Sequence, residues 1–413
     1  MMGILNFIFS ATFVTTALSA TVPSSSFNAG GRCVLPVKSN KHWKTFWPLV
    51  FRATGTLYPV KETEINSSEE LDSELDVVVT KGEEVIISCG PNYIASEYRS
   101  TSLNVKCGED GSFYTLKGDA KELKELSCDL RSVEEVIVPV DGCPTTATSG
   151  KFGYVHPIDK TTRIIGESCY LENEGRTLFA HIRLGQDASE DSISNEKLND
   201  KYFIGKQFPN SRYKLDFMKG FRIDEFKNKM KLLLDNDVKI PHYSLGNFVD
   251  IEHLISNKQF FAVKKLVWNY FPVFDNQIPY LDAVRKDIVE LSRSNEIDVY
   301  VGSYGIMELE GKSGEKVSIY LDPIGNKYPV PKYIWFIIKS GKNTIGIAVA
   351  NDPNTTVSDS LKICSSQCNK VSWLSNVKTA GYSNQANKIV CCGYNTMKNI
   401  IPEIPDIALT SKI

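Results

Sequence analysis

The stretch Tyr243–Leu254 reads YSLGNFVDIEHL, and it contains the polar residues Asn247, Asp250 and Glu252 close to histidines. His242 directly precedes it and His253 lies near its end. Successive side chains of a strand point to opposite faces, so only some of these polar groups can share one face. This stretch is therefore the first place where chemistry is expected, and the segments around it indicate the fold that would hold it.

The segments on both sides alternate helical and strand patterns. Apolar residues at helical spacing predict two helices, at 221–234 (Phe226, Met230, Leu233, Leu234) and at 279–292 (Leu281, Val284, Ile288, Leu291). Continuous apolar runs at Val299–Val301 and Tyr333–Ile338 are typical of core strands. The polar, acidic residues Asp187–Asp200 predict an exposed loop.

The N-terminal part has a different pattern, of short β-type runs separated by turns. These runs are Leu57–Val60, Val77–Val79, Glu84–Ser88, Leu103–Val105 and Glu134–Val140. The acidic stretch Glu62–Asp76 predicts a solvated loop, and Pro144–Gly150 predicts a linker. Since 413 residues exceed what one hydrophobic core usually organises, we expect an α+β protein with a small β-rich domain at 21–148 and a second domain at 149–413 that combines a mixed sheet with helices.

Residues 1–20 contain no charge and have an apolar centre from Ile4 to Val14 followed by small residues. This pattern is typical of a secretory signal peptide, with cleavage near Ala17–Ala20, and a short buried N-terminal helix is the alternative. No other stretch approaches the roughly 20 apolar residues that span a bilayer. We expect a secreted protein with no membrane partner after cleavage.

Ten cysteines are an even count, which in a secreted protein predicts disulfides. A zinc site at Cys364, Cys368 and the pair Cys391–Cys392 is the alternative, but adjacent cysteines are awkward tetrahedral ligands. We favour two bridges in this C-terminal region. Asn66 and Asn354 begin glycosylation sequons, which fit the same compartment.

The chain lacks the sequence motifs of several enzyme classes, among them esterases, kinases and dehydrogenases. None of the five histidines lies in HExxH or another metal-binding spacing, and the chain has no GxSxG, no P-loop and no GxGxxG after a strand. The formal net charge of −2 gives no bulk attraction to nucleic acid. Local charge therefore matters more than the total.

Residues 201–240 concentrate basic and aromatic side chains, with ten Lys or Arg against five Asp or Glu. Basic groups neutralise phosphates and aromatic rings stack on unpaired bases. The alternative is that the aromatics are core and the lysines a solvated helix face. The candidate nucleic-acid-binding residues are Lys201, Lys206, Arg212, Lys214, Lys219, Arg222, Lys227, Lys229 and Lys231.

From YSLGNFVDIEHL onward, the chain resembles the DNA/RNA non-specific endonucleases of the ββα-metal (His-Me finger) type, particularly their secreted insect branch. In that family an Arg-Gly-His motif precedes a strand, and an Asn-x-x-Pro-Gln stretch leads into a helix with metal-site residues. Gly246 and Asn269-Tyr-Phe-Pro272 keep parts of these motifs. Residues 298–309 and 330–353 and the cysteine-rich tail are also similar, so the resemblance covers roughly residues 170–400.

The departures fall where that resemblance implies catalysis. Leu245 stands at the arginine position and Asn247 at that of the histidine general base, and an amide cannot accept a proton near pH 7. Asn269 is itself a candidate metal ligand, and counting without gaps from it, the metal-binding position falls on Ile278 and the helix glutamate on Lys286. A shift of one or two residues would bring Asn276 or Gln277 to the metal and Asp287 to the glutamate position.

Three hypotheses follow. The first is a salivary-type protein that binds DNA and RNA with little sequence preference on a degenerate nuclease scaffold, with at most weak cleavage. Binding would need no cofactor, and residual cleavage would use Mg²⁺ or a similar cation. The second is an active metal-dependent endonuclease with His253 as a substitute base, and with Asp250 and Glu252 as oxygen ligands. The third is a secreted module that binds a protein or small ligand and has kept only the fold.

Overall fold

A computed structural model gives the architecture of the chain. The residues that it describes are 32–38, 48–63, 74–90, 94, 100–121, 123–128, 133–185, 228, 230–232, 234, 243–249, 254, 259–260, 269–322, 325–352, 363–382 and 388–407.

Eight short strands make up the N-terminal part. They are β1 (Arg32–Lys38), β2 (Leu49–Arg52), β3 (Lys61–Thr63), β4 (Glu74–Thr80), β5 (Glu84–Ser88), β6 (Ser102–Cys107), β7 (Phe113–Thr115) and β8 (Ala120–Lys121). They form a three-stranded sheet in the order β1-β4-β3 and a five-stranded sheet in the order β2-β5-β6-β7-β8. Gln259 links this part to the rest, because its buried side chain bonds the backbone of Val50 and the carbonyl of Tyr58.

The remaining strands and helices follow in chain order. The strands are β9 (Glu134–Ile137), β10 (Thr148–Val155), β11 (Thr162–Leu171), β12 (Arg176–Leu184), β13 (Tyr243–Asn247), β14 (Tyr270–Phe274), β15 (Ile297–Ile306), β16 (Glu308–Glu310), β17 (Lys316–Ser318), β18 (Tyr320–Asp322), β19 (Lys327–Pro329), β20 (Pro331–Ser340), β21 (Asn343–Ala350) and β22 (Ile389–Gly393). The helices whose bounds lie within the described residues are α1 (Ile278–Ser292), α2 (Ser375–Tyr382) and α3 (Tyr394–Ile400).

A central eight-stranded sheet has the order β22-β21-β20-β15-β12-β11-β10-β9. Strand β20 reads PKYIWFIIKS and is buried on both faces. Ile334 and Phe336 point into one core, whereas Trp335 and Ile337 point into the other. The continuous apolar run therefore marks a strand that separates two packed layers.

Helices cover both faces of this sheet. The apolar side of α1, with Leu281, Val284 and Ile288, packs in the first core together with Val377 of α2. Met397 of α3 and the residues after it pack in the second core. A Pro at the start of α1 suits the first helical turn, where its missing N–H costs nothing.

All ten cysteines are paired, so the zinc interpretation of the C-terminal cysteines is wrong. The bridges are Cys33–Cys107, Cys89–Cys128, Cys143–Cys169, Cys364–Cys392 and Cys368–Cys391. The two expected C-terminal bridges are confirmed. Five disulfides indicate an oxidising environment.

Several predicted elements are confirmed and others need correction. The helix at 279–292 and the strands at 84–88, 299–301 and 333–338 are present. The mixed sheet is wrong, since every strand pairing among the described residues of the central sheet is antiparallel. The protein is mostly β, with few helices.

The segments near the predicted domain boundary differ from expectation. Leu57–Val60 forms only an isolated bridge, between Leu57 and Phe51, and is not a strand. The predicted linker runs into β10, which begins at Thr148, and β9 already belongs to the central sheet. The division into two domains at 148/149 stays a prediction.

Some expectations lie outside the described residues. The exposed loop at 187–200, the sequons at Asn66 and Asn354, and the signal segment 1–20 belong to this group. Of the helix predicted at 221–234, residues 228 and 230–232 are helical. No helix among the described parts of the chain is long and apolar enough to cross a membrane.

Candidate functional site

The site indicated by the sequence is a strand–strand–helix unit. Strands β13 and β14 pair antiparallel, with Leu245 opposite Pro272 and Asn247 opposite Tyr270, and α1 follows β14 after one short 3-10 turn. Gly246 lies opposite Phe271, and a Cβ atom there would come within 2.8 Å of that ring. The close approach of the ring to the backbone explains why glycine suits this position.

Asn247 stands at the end of β13 and is half-buried. Its Nδ2 donates to the carbonyl of Asn269 at 3.3 Å, and its side chain also bonds the hydroxyl of Tyr270. Burial raises the pKa of Tyr270 to about 12, with the bond from Asn247 acting in the opposite sense. Neither an amide nor a neutral phenol accepts a proton near pH 7, so these two groups supply no general base.

A buried arginine joins this strand end to the helix. Arg285 of α1 donates from Nη2 to the carbonyl of Asn247 at 2.5 Å and from Nη1 to Asp282 at 3.2 Å. Leu245, which the resemblance would place at an arginine position, packs beside an apolar cluster that contains Phe274 and Met307. The guanidinium of Arg285 therefore brings a positive charge from α1 to the end of β13, where it bonds a backbone carbonyl.

The side chains of the candidate metal ligands differ in their surroundings and in the hydrogen bonds they make. Asn269 is fully buried, and its side-chain amide bonds the backbone of Val249. Its Oδ1 accepts from Val249 N at 2.6 Å, and its Nδ2 donates to Val249 O at 2.9 Å. Asn276 is exposed. Gln277 is 1% exposed and donates to the carbonyl of Asp352, while its Oε1 has no hydrogen-bond partner among the described groups. Ile278 contributes only apolar contact.

Neither Lys286 nor Asp287, the two residues considered for the helix glutamate position, offers a free carboxylate. Lys286 is exposed. Asp287 is fully buried and accepts four hydrogen bonds from the start of α2: from the hydroxyl of Ser375, from N and Nδ2 of Asn376, and from N of Val377. Its carboxylate caps a helix N-terminus, where negative charge is stabilised.

The described candidates offer no free carboxylate to a divalent cation of the Mg²⁺ type, which prefers carboxylate and water oxygens. The Asp287 carboxylate bonds the start of α2, and the buried oxygen without a described donor among these candidates is the neutral Oε1 of Gln277. Within the described ranges, no group of three or more His, Cys, Asp or Glu side chains could hold a metal.

Most of the remaining predicted site residues lie outside the described residues. These are His242, Asp250, Glu252 and His253, and all the basic candidates from Lys201 to Lys229. Lys231 is described and is exposed.

A cluster that the sequence analysis missed lies across the central sheet. His181 of β12 lies opposite Glu167 of β11 and opposite Tyr300 of β15. Its Nε2 is 3.0 Å from Asp298, and its Nδ1 is 3.5 Å from Glu167. The Tyr300 ring stacks on the imidazole, with centroids 4.1 Å apart. Only cross-strand register brings these groups together, so no local motif could have revealed them.

Charges around this cluster set its protonation. Burial alone would lower the pKa of His181, but hydrogen bonds to Asp298 and Glu167 outweigh burial and raise it. Burial likewise works against the charged carboxyls, yet the bonds to His181 lower the pKa of both Glu167 and Asp298. Lys151 at 3.2 Å from Glu167 and Arg183 at 3.3 Å from Asp298 act in the same direction.

We expect the free energy of unfolding to decline on the alkaline side as His181 loses its proton. A raised histidine pKa stabilises the fold fully below the ordinary value of 6.5 and loses that effect as the pH rises through the raised pKa. The lowered carboxyl pKa values act at the other end, where stability is lost as the pH falls through them. Urea unfolding of the parent and of His181→Gln, measured from pH 5 to about pH 9, checks this. Parallel profiles of the two proteins would contradict it.

Comparison with known proteins adds a partial likeness. No protein family model matches the chain, and no curated protein matches it. Among solved structures, the chain is similar to one chain of the "Crystal structure of the EndoG/EndoGI complex: Mechanism of EndoG inhibition". The match covers 45% of this chain and 71% of that chain, with 10% identity and a TM-score of 0.26.

Proposed function

We propose that this protein binds DNA and RNA with little sequence preference, on a degenerate non-specific endonuclease scaffold that cleaves weakly at most. We further propose that it is secreted and acts in saliva, and the five disulfides support an oxidising compartment of that kind.

The observation that carries the proposal is the chemistry around Asn247. Among the described residues, its side chain bonds the carbonyl of Asn269 and the phenol of Tyr270. Neither accepts a proton near neutral pH, and removal of a general base typically slows an enzyme by about 10²- to 10⁴-fold. A scaffold with this substitution is suited to holding nucleic acid rather than to turning it over.

Binding itself is supported by the basic and aromatic composition of residues 201–240. Lysine and arginine release counterions from phosphates, and aromatic rings stack on bases of any identity. Both effects are independent of sequence. Neither requires a metal ion, so the proposed binding needs no cofactor.

Retention and cleavage measured on the same samples test the proposal. We expect the protein to retain single-stranded DNA, duplex DNA and RNA of unrelated sequence at low salt in the presence of EDTA, because the binding needs no divalent cation. Supercoiled plasmid should stay largely intact under the same conditions. Absence of any complex at low salt would contradict the binding proposal, and rapid nicking with Mg²⁺ or Mn²⁺ would favour a working nuclease with another base.

The double variant Leu245→Arg/Asn247→His asks whether the base alone is missing. We expect retention of nucleic acid to stay unchanged in this variant. Plasmid nicking should rise, but by less than the ~10²-fold or more that a restored base gives in a complete site, because the side chains of Asn269 and Asp287 are engaged by Val249 and by the start of α2. Ser244→His is the matched control, since the neighbouring strand position points to the opposite face. A full rise in the double variant would show that the rest of the site is intact.

A further inference from the structure

The central eight-stranded sheet ends on β22, and a short surface segment covers the outer edge of this strand. β22 stands at one end of the strand order and pairs only with β21 among the described strands. A bare edge strand exposes backbone N–H and C=O groups that can pair with another chain, and proteins cover or shorten such edges. The fastening of the cover therefore decides whether this edge can bind a partner.

The cover consists of residues 364–368, which we call the strap. The N–H of Gln367 donates to the carbonyl of Cys391 at 2.9 Å, and the N–H of Cys391 donates to the hydroxyl of Ser366 at 3.4 Å. Both backbone groups of Cys391 therefore face away from β21. Ser366 and Gln367 are themselves exposed, so the described part of the chain places nothing over the strap.

Two disulfides fasten the strap, one on each face of the sheet. Adjacent residues of a strand point to opposite faces, and Cys391 lies in the first core whereas Cys392 lies in the second. Cys391 is bonded to Cys368, and Cys392 is bonded to Cys364. The two ends of the strap are therefore tied to opposite faces of the sheet, and adjacent cysteines on β22 are what this arrangement requires.

The edge beneath the strap is complementary to itself. Alternate residues of an antiparallel strand direct their backbone groups to the same side, so the C=O of Ile389 and the N–H of Gly393 face the same way as the groups of Cys391. Two copies of β22 placed antiparallel about Cys391 would join Gly393 of each copy to Ile389 of the other. A two-fold contact of this kind is the commonest symmetry of protein dimers. A second copy of the chain is therefore the partner that fits this edge.

We propose that the β22 edge is a surface for a second copy of this chain, and that the strap, held by its two disulfides, keeps this surface closed. With the bridges in place, the chain does not pair through β22. With the strap released, two copies join edge to edge into one continuous sheet. The contact uses no residue of the β13–β14 unit or of the basic segment 201–240, so the inference goes beyond the proposed function and does not depend on it.

Analytical ultracentrifugation of bridge variants tests the proposal. The released variant lacks both bridges of the strap, through Cys364→Ser/Cys368→Ser/Cys391→Ala/Cys392→Ala. We expect its weight-average mass to rise up to twofold as the concentration increases, whereas the parent sediments as a single chain throughout. A matched control lacks two bridges that do not involve β22, through Cys89→Ala/Cys128→Ala/Cys143→Ser/Cys169→Ala. This control should sediment as a single chain, like the parent.

Gly393→Pro separates edge pairing from non-specific aggregation. Gly393 has a φ of −64°, and a Cβ atom there would meet nothing within 4 Å. Proline therefore suits this backbone, and it removes an N–H donor from the outer edge of β22. Added to the released variant, Gly393→Pro should return the weight-average mass to that of a single chain.

Circular dichroism identifies the folded samples, and the outcomes are then distinct. If the released variant does not fold, Cys364→Ser/Cys392→Ala frees one end of the strap and carries the same expectation. A folded released variant that stays a single chain at every concentration would overturn the proposal. Association that Gly393→Pro leaves unchanged, or that the matched control shows equally, would overturn it as well. Failure of both released forms to fold would make the bridges a requirement of folding rather than a removable cover, which also overturns it.

Discussion

Retention of duplex DNA is expected to weaken by about 10³-fold or more between 50 and 200 mM salt, the decrease typical of proteins that bind 6–10 phosphates. The nine basic candidates from Lys201 to Lys231 are enough to bind that number of phosphates. Each neutralised phosphate releases condensed counterions, and added salt opposes that release. Filter retention across a salt series, with duplex DNA, single-stranded DNA and RNA, measures the slope of log K against log salt.

Charge reversal tests which lysines contribute to that slope. The triple variant Lys227→Glu/Lys229→Glu/Lys231→Glu should weaken retention of all sequences alike and make the duplex slope shallower by about 0.9 for each phosphate that the variant no longer neutralises. A matched control reverses Lys81, Lys106 and Lys117, which are exposed in the N-terminal part of the chain and change the net charge equally. If both triple variants bind alike, overall charge rather than this segment explains the binding. If the first keeps the parent's affinity, the third hypothesis, a ligand-binding module, gains support.

Asp287→Ala is expected to lower the free energy of unfolding by about 2–4 kcal/mol, because the substitution removes a helix cap and leaves buried donors without an acceptor. Four hydrogen bonds from Ser375, Asn376 and Val377 end on this carboxylate. Asp287 thereby fastens α2 to α1 within the first core. Urea unfolding monitored by circular dichroism measures the decrease.

Two further variants give this measurement its controls. Lys286→Ala changes the exposed neighbour and should fall within about 0.5 kcal/mol of the parent. Asp287→Asn keeps an acceptor oxygen and should be destabilised less than Asp287→Ala. A destabilisation of Asp287→Ala no larger than that of Lys286→Ala would remove the capping role and return Asp287 to consideration as a metal ligand.

Several patterns within one element were read correctly from the sequence. The apolar spacing of Leu281, Val284 and Ile288 marks the buried side of α1, and the unbroken apolar run Tyr333–Ile338 marks a strand with a core on each face. Such patterns are readable because the period of a helix or strand is a local property of the backbone. The even cysteine count likewise predicted complete pairing, although not the partners.

Patterns that cross elements were not readable. The sequence suggested a linker at Pro144–Gly150, but Thr148 begins β10, because pairing with β11 on one side and β9 on the other outweighs the local turn composition. It offered Asn269 and Asp287 as site residues, whereas their bonds to Val249 and to the start of α2 are structural.

By itself, the sequence determined mostly local features of this protein: the disulfide chemistry, the principal helix and the core strands. Tertiary structure alone decided which groups meet. His181 and Asp298 are 117 residues apart, and Arg176 and Glu403 are 227 apart, yet each pair is hydrogen-bonded. The physical reason is that strand register and packing between layers fix such distances, and neither is encoded in the spacing of residues along one element.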